Sequence, residues 1–224
     1  MGRVFALKNV RLLYKKSGAL RFASHLDMNR FMTRLLRLSK VPVWYTEGFN
    51  KHPYITFALP LSLGFTSEWE AVDFRITDDE MPLKKAKEMI AAVCPNGIEV
   101  IDLLEPTYKV GKISSAEFEI VFAGDSGAEV ETIESFLNQA EILVSKKTKR
   151  GNIEQFNAKE KILEFNAFDN GSNLCLNIKL PAGGSDNLNP KIITSAYFEK
   201  IESKNPFCSI NRKMLYTSDG NIFK

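Results

Sequence analysis

Two kinds of segment alternate along this chain in an order that occurs twice, and that order constrains the fold more than any other feature. In the first half, strand-type and amphipathic helical segments follow the order strand, helix, strand, strand, strand, helix, strand. Without one hairpin strand, this is the βαββαβ order of a ferredoxin-like unit. The second half repeats it without obvious sequence identity. The sequence therefore predicts an α+β protein of two tandem ferredoxin-like (βαββαβ-type) halves with antiparallel sheets.

A segment without apolar periodicity, residues 105–112, separates the two halves and is typical of a linker. We expect an N-terminal ferredoxin-like domain at residues 1–107 and a C-terminal one at residues 113–224. Helices are predicted over residues 24–39, 82–93, 127–139 and 189–200. Strands are predicted over residues 10–15, 43–46, 54–59, 70–76 and 98–104 of the first half, and 117–123, 142–146, 162–166, 174–180 and 209–216 of the second.

The helix predicted over residues 24–39 has the strongest local signals. Ser24 is a good N-cap, and Asp27, three residues on, completes a capping-box-like pair and suits the positive end of the helix dipole. The helix must end before Pro42, because the residue before a proline avoids the α region. Its predicted buried stripe consists of Met28, Phe31, Met32, Leu35, Leu36 and Leu38.

Positive charge is concentrated at the beginning of the chain. Residues 1–60 carry eleven Lys and Arg against two acids, a balance of +9 within a total of +3, so the remaining residues sum to −6. Arg30, Arg34 and Arg37 recur at spacings of three and four on the predicted helix, where like charges repel and add no stability. Arginine also forks onto phosphate oxygens. This asymmetry indicates a polyanion-facing surface; a solvated basic face without a partner is the alternative.

Both histidines lie in this region. His25 falls in the first turn of the predicted helix, and His52 lies in a Glu-Gly-Phe-Asn-Lys-His-Pro loop at residues 47–53. If the helix N-terminus and the loop converge, one imidazole becomes a general base and the other a general acid on a phosphodiester. Alternatively, His25 packs at the cap and His52 stabilises the turn. A third interpretation uses His25, His52, Asp27, Glu70 or Asp73 as metal ligands, without any local spacing to support it.

Aromatic side chains are interleaved with the loop cations, an arrangement typical of proteins that hold unpaired RNA by base stacking and phosphate contacts. Core packing is the alternative for each ring. The candidate nucleic-acid-binding residues are Lys16, Arg21, Arg30, Arg34, Arg37, Phe49, Asn50, Lys51 and Tyr54.

Several classes of site leave no trace in the sequence. GxGxxG, GxxxxGK[ST], GxSxG and HExxH are absent, and the three cysteines lie far apart. No apolar run approaches the length of a membrane span, and the N-terminus is too basic for a secretory signal. We therefore expect a cytoplasmic protein that uses no membrane, no metal and no small-molecule cofactor.

Three motifs carry a resemblance. They are Lys-Ser-Gly-Ala-Leu-Arg-Phe-Ala-Ser-His-Leu-Asp at residues 16–27, Glu-Gly-Phe-Asn-Lys-His-Pro at 47–53 and Phe-Ala-Leu-Pro-Leu-Ser-Leu-Gly at 57–64. They resemble the signatures of the radical SAM-linked protein family, a bacterial domain of unknown function fused to, or encoded beside, cobalamin-binding radical SAM proteins. The residues His25, Asp27, Gly48, Phe49, Asn50, His52 and Pro53 match that pattern. Lys51 departs from it, because the family usually has proline there.

The resemblance implies an accessory role beside a radical SAM enzyme, with tRNA or rRNA as the partner nucleic acid. Ser24, Asp27, Gly48 and Pro53 are then motif residues that shape the structure. Our first hypothesis is an RNA-binding or substrate-presenting module that works with such an enzyme. The alternatives are a metal-independent endoribonuclease that uses His25 and His52, and a protein–protein adaptor that does not bind RNA.

Overall fold

A computed structural model of the chain describes residues 7–147, 153–171, 173–184 and 186–224. These residues form a mixed α+β structure with four α-helices and antiparallel strand pairs, which confirms the predicted fold class at this level. The chain divides into two compact units, residues 1–113 with 221–224, and residues 114–220. None of the helices in the described ranges has the length and apolar character needed to span a membrane.

The first unit packs two helices on one face of a four-stranded sheet. Its elements are β1 (Lys8–Lys16), α1 (His25–Ser39), β2 (Ile55–Phe57), β3 (Thr66–Ile76), α2 (Leu83–Ala91) and β4 (Ile98–Leu104), with a short 3₁₀ helix at Gly18–Phe22. The strand order is β4-β1-β3-β2. Val10 pairs with Phe74 and Leu12 with Val72, and these side chains join those of both helices in one core. Because side chains alternate along a strand, Arg11 and Asp73 lie on the other face.

The predicted capping of α1 is confirmed. Ser24 is the N-cap and forms a capping box with Asp27, and the helix ends at Ser39, followed by Lys40 in the left-handed conformation at φ 59°. Met28, Met32, Leu35 and Leu36 are buried as predicted. Leu38 is 54% exposed and not in the core, because the helical period places Ser39 instead of Leu38 on the buried side.

The strands around the 47–53 loop are shorter than predicted. Residues 43–46 form no strand; instead Val43 bridges Ile76 and Tyr45 bridges Pro53 in isolation. Pro42 and Pro53 have no N–H to donate, so an extended ladder cannot form there. The strand predicted at residues 54–59 is limited to β2, which pairs with β3.

The second unit has the same sequence of elements with one additional hairpin. The elements are β5 (Ile113–Phe122), α3 (Val130–Leu137), β6 (Leu143–Lys147), β7 (Ile153–Asn157), β8 (Glu164–Asp169), β9 (Leu174–Pro181), α4 (Pro190–Lys200) and β10 (Cys208–Thr217). The strand order is β10-β5-β9-β8, and β6 pairs with β7 in a separate hairpin. The predicted element list lacked β7.

The segment predicted as a linker is packed against the first unit. Tyr108 accepts a hydrogen bond at 2.9 Å from the buried guanidinium of Arg11. A 3₁₀ turn at Val110–Lys112 follows it directly. Residues 105–112 are therefore part of the structure that surrounds the sheet.

Candidate nucleic-acid interface

The N-terminus of α1 is closed by its own side chains. The Ser24 hydroxyl lies 2.6 Å from Oδ2 of Asp27, and that oxygen also accepts from the Ser24 N–H at 3.1 Å. In return, the Asp27 N–H donates to Ser24 Oγ at 3.2 Å. These side-chain and backbone hydrogen bonds from Ser24, helped by the nearby Arg30, lower the pKa of Asp27. Ser24 and Asp27 thus stabilise the first turn of the helix, as the capping-box pattern predicted.

Three arginines lie on the solvent side of the same helix. Arg30, Arg34 and Arg37 are exposed, and within the described part of the chain none of them pairs with a carboxylate. Four residues of helix advance about 6 Å, so the three arginines follow one another along the same side of the helix. We call Arg30, Arg34 and Arg37 together with the loop at residues 47–53 the basic face.

The loop of the basic face joins the C-terminal half of α1. Arg37 donates from Nη2 to the Lys51 carbonyl at 3.4 Å, and its guanidinium lies 5.8 Å from the Tyr45 ring centroid. Phe49, at the tip, is completely exposed, and Asn50 and Lys51 are exposed beside it. Its ring is therefore accessible to a ligand beside two polar side chains.

His52 organises this loop. Its Nδ1 lies 2.9 Å from the Asn50 carbonyl and 3.3 Å from Oγ1 of Thr46, and its backbone N–H donates to the same Thr46 oxygen. Thr46 in turn donates from its backbone to the His52 carbonyl at 2.9 Å. Gly48 has a φ of +125°, which disfavours any residue with a side chain. His52 and Gly48 therefore shape the turn.

The two imidazoles do not come together. The loop contacts α1 through Arg37, whereas His25 lies twelve residues earlier, about 18 Å along the helix axis. His25 instead packs edge-on against Phe57, with ring centroids 5.2 Å apart. Phe57 is five residues past His52, a span of about 16 Å in extended chain. The acid–base pair required the helix N-terminus and the loop to converge on one phosphodiester, and these contacts give no support to that condition.

The helix N-terminus meets the third motif instead. Gly64 donates from its N–H to the Arg21 carbonyl at 2.7 Å, which places residues 57–64 beside the beginning of α1. Arg21 lies over the exposed ring of Phe22 at 4.7 Å. Lys16 differs from its predicted role, because it is 2% exposed and donates to the Ala23 carbonyl at 3.3 Å. Its ammonium is not available to a phosphate on the surface.

Burial and ion pairing remove several N-terminal cations from the set that is free to contact a ligand. Arg11 and Lys16 are buried, and Lys8 and Lys15 form ion pairs with Glu105 and Glu99. From residue 7 onward, the exposed cations of this segment are thereby concentrated on α1, the 3₁₀ turn before it and the residues after it.

The sequence did not indicate a cleft of about 450 Å³ on the sheet face opposite the helices, which we call the open-face cleft. Two cross-strand rows form its floor. Asn9 pairs with Arg75, and the register of β2 places Tyr54 next to Arg75. In the second row Thr56 pairs with Asp73, and Asp73 with Arg11. Its remaining lining comes from Phe74 and from Pro106, Thr107, Tyr108, Lys109 and Val110.

Hydrogen bonds and stacking hold this floor in place. Arg11 makes two hydrogen bonds of 2.7 Å to Asp73, and the Phe223 ring lies 4.1 Å from its guanidinium carbon. The Arg75 guanidinium lies 5.3 Å from the Trp44 ring centroid and 5.2 Å from that of Tyr54. Residues 106–110, which form one wall of this cleft, were expected to belong to a linker.

The metal interpretation gains no support from the geometry. Both oxygens of Asp73 accept from Arg11, and no group of three or more His, Cys, Asp or Glu side chains suited to a metal occurs in the described ranges. All three cysteines are free thiols, and burial raises the pKa of Cys94 and of Cys208.

Comparisons with known proteins place the chain in a family. Residues 9–190 match the family described as an uncharacterized protein conserved in bacteria, DUF2344. The chain belongs to that family. A search among proteins of curated function finds no match.

Matches among solved structures include two at low sequence identity, both with TM-scores below 0.5. One is a Cbf5-Nop10-Gar1 complex, 9% identical, with 92% of this chain and 48% of that chain covered and a TM-score of 0.48. The other is an unknown protein from Galdieria sulphuraria, 9% identical, with coverage of 92% and 99% and a TM-score of 0.27. This chain spans about half the length of the first. Neither likeness carries an argument about function.

Proposed function

We propose that this protein is a cytoplasmic RNA-binding module whose contact surface is the basic face of the first unit. The observation that carries the proposal is the row of Arg30, Arg34 and Arg37, exposed on one side of α1 and, in the described ranges, in no salt bridge. Guanidinium groups bind phosphate oxygens through two parallel hydrogen bonds, and the row offers three of them in succession.

The adjoining loop favours unpaired RNA over a duplex. Phe49 offers a complete ring face next to Asn50 and Lys51. Splayed-out bases stack on such rings, whereas a continuous duplex keeps its bases inside. We therefore expect stem-loop or single-stranded RNA to bind more tightly than double-stranded RNA.

Replacing the three arginines together tests the proposal. In Arg30→Gln/Arg34→Gln/Arg37→Gln, affinity for a fluorescent stem-loop RNA at low salt should fall at least about tenfold, because three phosphate contacts are lost. The slope of log K against log salt concentration should become shallower by about 2, at roughly 0.7 per phosphate of a single strand. Fluorescence anisotropy across a salt series measures both.

A charge-matched control separates specific contacts from overall charge. Lys84, Lys85 and Lys112 are exposed cations of the same unit outside the basic face. Changing these three to Gln should leave RNA affinity within about twofold. Equal losses in the two triple variants, or no RNA binding by the wild type at low salt, would contradict the proposal.

A substrate-presenting role beside a radical SAM enzyme is part of the proposal and rests on the resemblance of the three motifs. Its test is co-purification of such an enzyme with this protein from the native host, with and without ribonuclease treatment. Recovery of the enzyme after complete RNA digestion, from a protein that has no RNA affinity, would favour the adaptor alternative.

The endoribonuclease alternative has less support. His25 packs on Phe57 and His52 bonds to Thr46, at opposite ends of α1. If the wild-type protein cleaves RNA and both His25→Ala and His52→Ala abolish that cleavage, the result would support the endoribonuclease alternative.

We also propose that each unit is a ferredoxin-like fold. The strand order β4-β1-β3-β2, with helices after the first and third strands, supports this for the first unit. The order β10-β5-β9-β8 supports it for the second, with β6 and β7 as an insertion.

A further inference from the structure

The open-face cleft has no part in the proposal above, yet it has the properties of a ligand site. Its volume of about 450 Å³ lies within the roughly 300–1,000 Å³ range of small-molecule sites. It is formed by side chains of three adjacent strands and by the segment from Pro106 to Val110. Residues from distant parts of the sequence thus converge on one concave surface.

The polar groups on the floor are held in position before any ligand arrives. Arg75 donates from Nε to Asn9 Oδ1 at 3.2 Å, and its guanidinium is flanked by Trp44 and Tyr54. Beneath it, Arg11 is fully buried against Asp73. A site whose side chains are already ordered loses little conformational entropy on binding.

Charge and shape together indicate the class of ligand. The carboxylate of Asp73 is neutralised by Arg11, so Arg75 and Lys109 leave the cleft with a positive balance. Tyr54 presents a ring that is 44% exposed at the same surface. Cations beside an accessible ring suit a ligand that combines an anionic group with a planar one, which is the chemistry of a nucleotide.

The side chains around this ring also offer base-edge partners. The amide nitrogen of Asn9 and the hydroxyl of Thr56 line the cleft, and no hydrogen bond occupies either donor in the described part of the chain. Amide and hydroxyl groups at a stacking platform are the groups that read the edges of unpaired bases.

The loop of the basic face leads along the chain into the cleft, although the arginines of α1 lie on the helix side of the sheet and the cleft lies on the other side. Tyr54 directly follows the loop at residues 47–53, and its backbone N–H donates to the Trp44 carbonyl at 3.2 Å. Arg37 contacts the same loop through the Lys51 carbonyl. An RNA strand that contacts both the arginines of α1 and Tyr54 would therefore pass along this loop.

We infer that the open-face cleft binds one nucleotide, with its base on the Tyr54 ring and its phosphate between Arg75 and Lys109. The nucleotide belongs either to an RNA strand that also contacts the basic face, in which case the inference rests on the proposed function, or to the free pool.

Ligand-observed NMR and calorimetry on the full chain test the inference with the four nucleoside 5′-monophosphates, the matching nucleosides and inorganic phosphate. Wild-type protein should bind at least one mononucleotide more tightly than its nucleoside or phosphate alone. Tyr54→Ala should weaken mononucleotide binding by about fivefold to 100-fold, the range typical of a lost base–aromatic stack. Lys109→Gln should weaken mononucleotide binding but leave nucleoside binding unchanged.

Two variants serve as controls. Lys112→Gln changes an exposed cation that does not line the cleft and should leave mononucleotide binding unchanged. The triple arginine variant of the basic face should also bind mononucleotides normally, even where its RNA binding is lost. Because Tyr54 is partly exposed, Tyr54→Ala should retain the wild-type circular dichroism and melting temperature.

The results separate this inference from the proposed function. If no mononucleotide binds and Tyr54→Ala leaves RNA affinity unchanged, the cleft inference is overturned, while arginine-dependent RNA binding still stands. If mononucleotides bind through Tyr54 but RNA does not bind, the cleft inference stands and the proposed function fails. Displacement of a bound mononucleotide by RNA supports a nucleotide of the strand; simultaneous binding of both supports a free one.

Discussion

At Asp27, one exposed carboxylate ties the beginning of α1 to its own backbone. Ser24 and Asp27 satisfy each other's N–H groups, which the first turn of a helix would otherwise leave unpaired. All the partners lie within three residues, so the sequence alone was sufficient to predict the arrangement. His25 shows the opposite case, since its neighbour Phe57 is distant in sequence.

The capping box predicts how the stability of the protein depends on pH. Because Ser24 lowers the pKa of Asp27 in the folded protein, the ionised carboxylate stabilises the fold above the ordinary Asp pKa of about 4. That contribution is lost as pH falls through the folded-state pKa. Asp27→Asn should therefore be less stable than wild type at pH 6, and the difference should shrink by pH 3. Urea unfolding at both pH values measures it; a constant difference would contradict the prediction.

At the scale of elements, amphipathic period and caps predicted all four helices, whereas short strands depended on their neighbours. The strand predicted at residues 43–46 has suitable β-branched and aromatic residues, but prolines interrupt the ladder on both sides. The hairpin strand β7 lacked a signal strong enough to be predicted. Helices satisfy their hydrogen bonds locally; strands need a partner that the local sequence does not specify.

The junction between α2 and β4 provides an element-scale prediction. Gly97 has a φ of +97°, its carbonyl accepts from the Ser17 N–H at 2.9 Å, and an added Cβ would lie 2.8 Å from the Ser17 carbonyl oxygen. Gly97→Ala should lower the free energy of unfolding by roughly 1–3 kcal/mol, because backbone strain and a clash between backbone atoms coincide.

The matched control is Gly111→Ala, where φ is not positive and an added Cβ meets nothing within 4 Å. Its effect should stay within about 0.5 kcal/mol. Chemical denaturation of both variants tests the pair, and equal stability of the two proteins would refute the role assigned to Gly97.

At the scale of the whole chain, the last residues complete the first unit. Residues 221–224 belong to that unit, although more than a hundred residues separate them from the rest of it. Phe223 is fully buried against Arg11, and its carbonyl accepts from Trp69 Nε1 at 2.9 Å. The floor of the open-face cleft thus depends on a segment that the sequence pattern assigned to the second half.

Phe223→Ala should therefore destabilise the first unit by about 3–5 kcal/mol, the usual cost of removing a buried phenyl ring. It should also weaken any mononucleotide binding, because Arg11 loses one of the groups that hold it. Ile222→Ala, at a neighbouring position that is 42% exposed, is the control and should cost much less. Thermal unfolding and NMR titration follow both effects; a Phe223→Ala protein as stable as the control would disprove this coupling.

The sequence by itself determined the helices, the cap of α1, the arginine row and the α+β class, because each depends on spacings of a few residues or on composition. Only the tertiary structure decided which motifs meet. It separated His25 from His52, buried Lys16 and turned an expected linker into the wall of a cleft. The Arg11 contacts that form that cleft span 62 and 97 residues of chain. Contacts at such separations follow from packing and strand register, which no local pattern encodes.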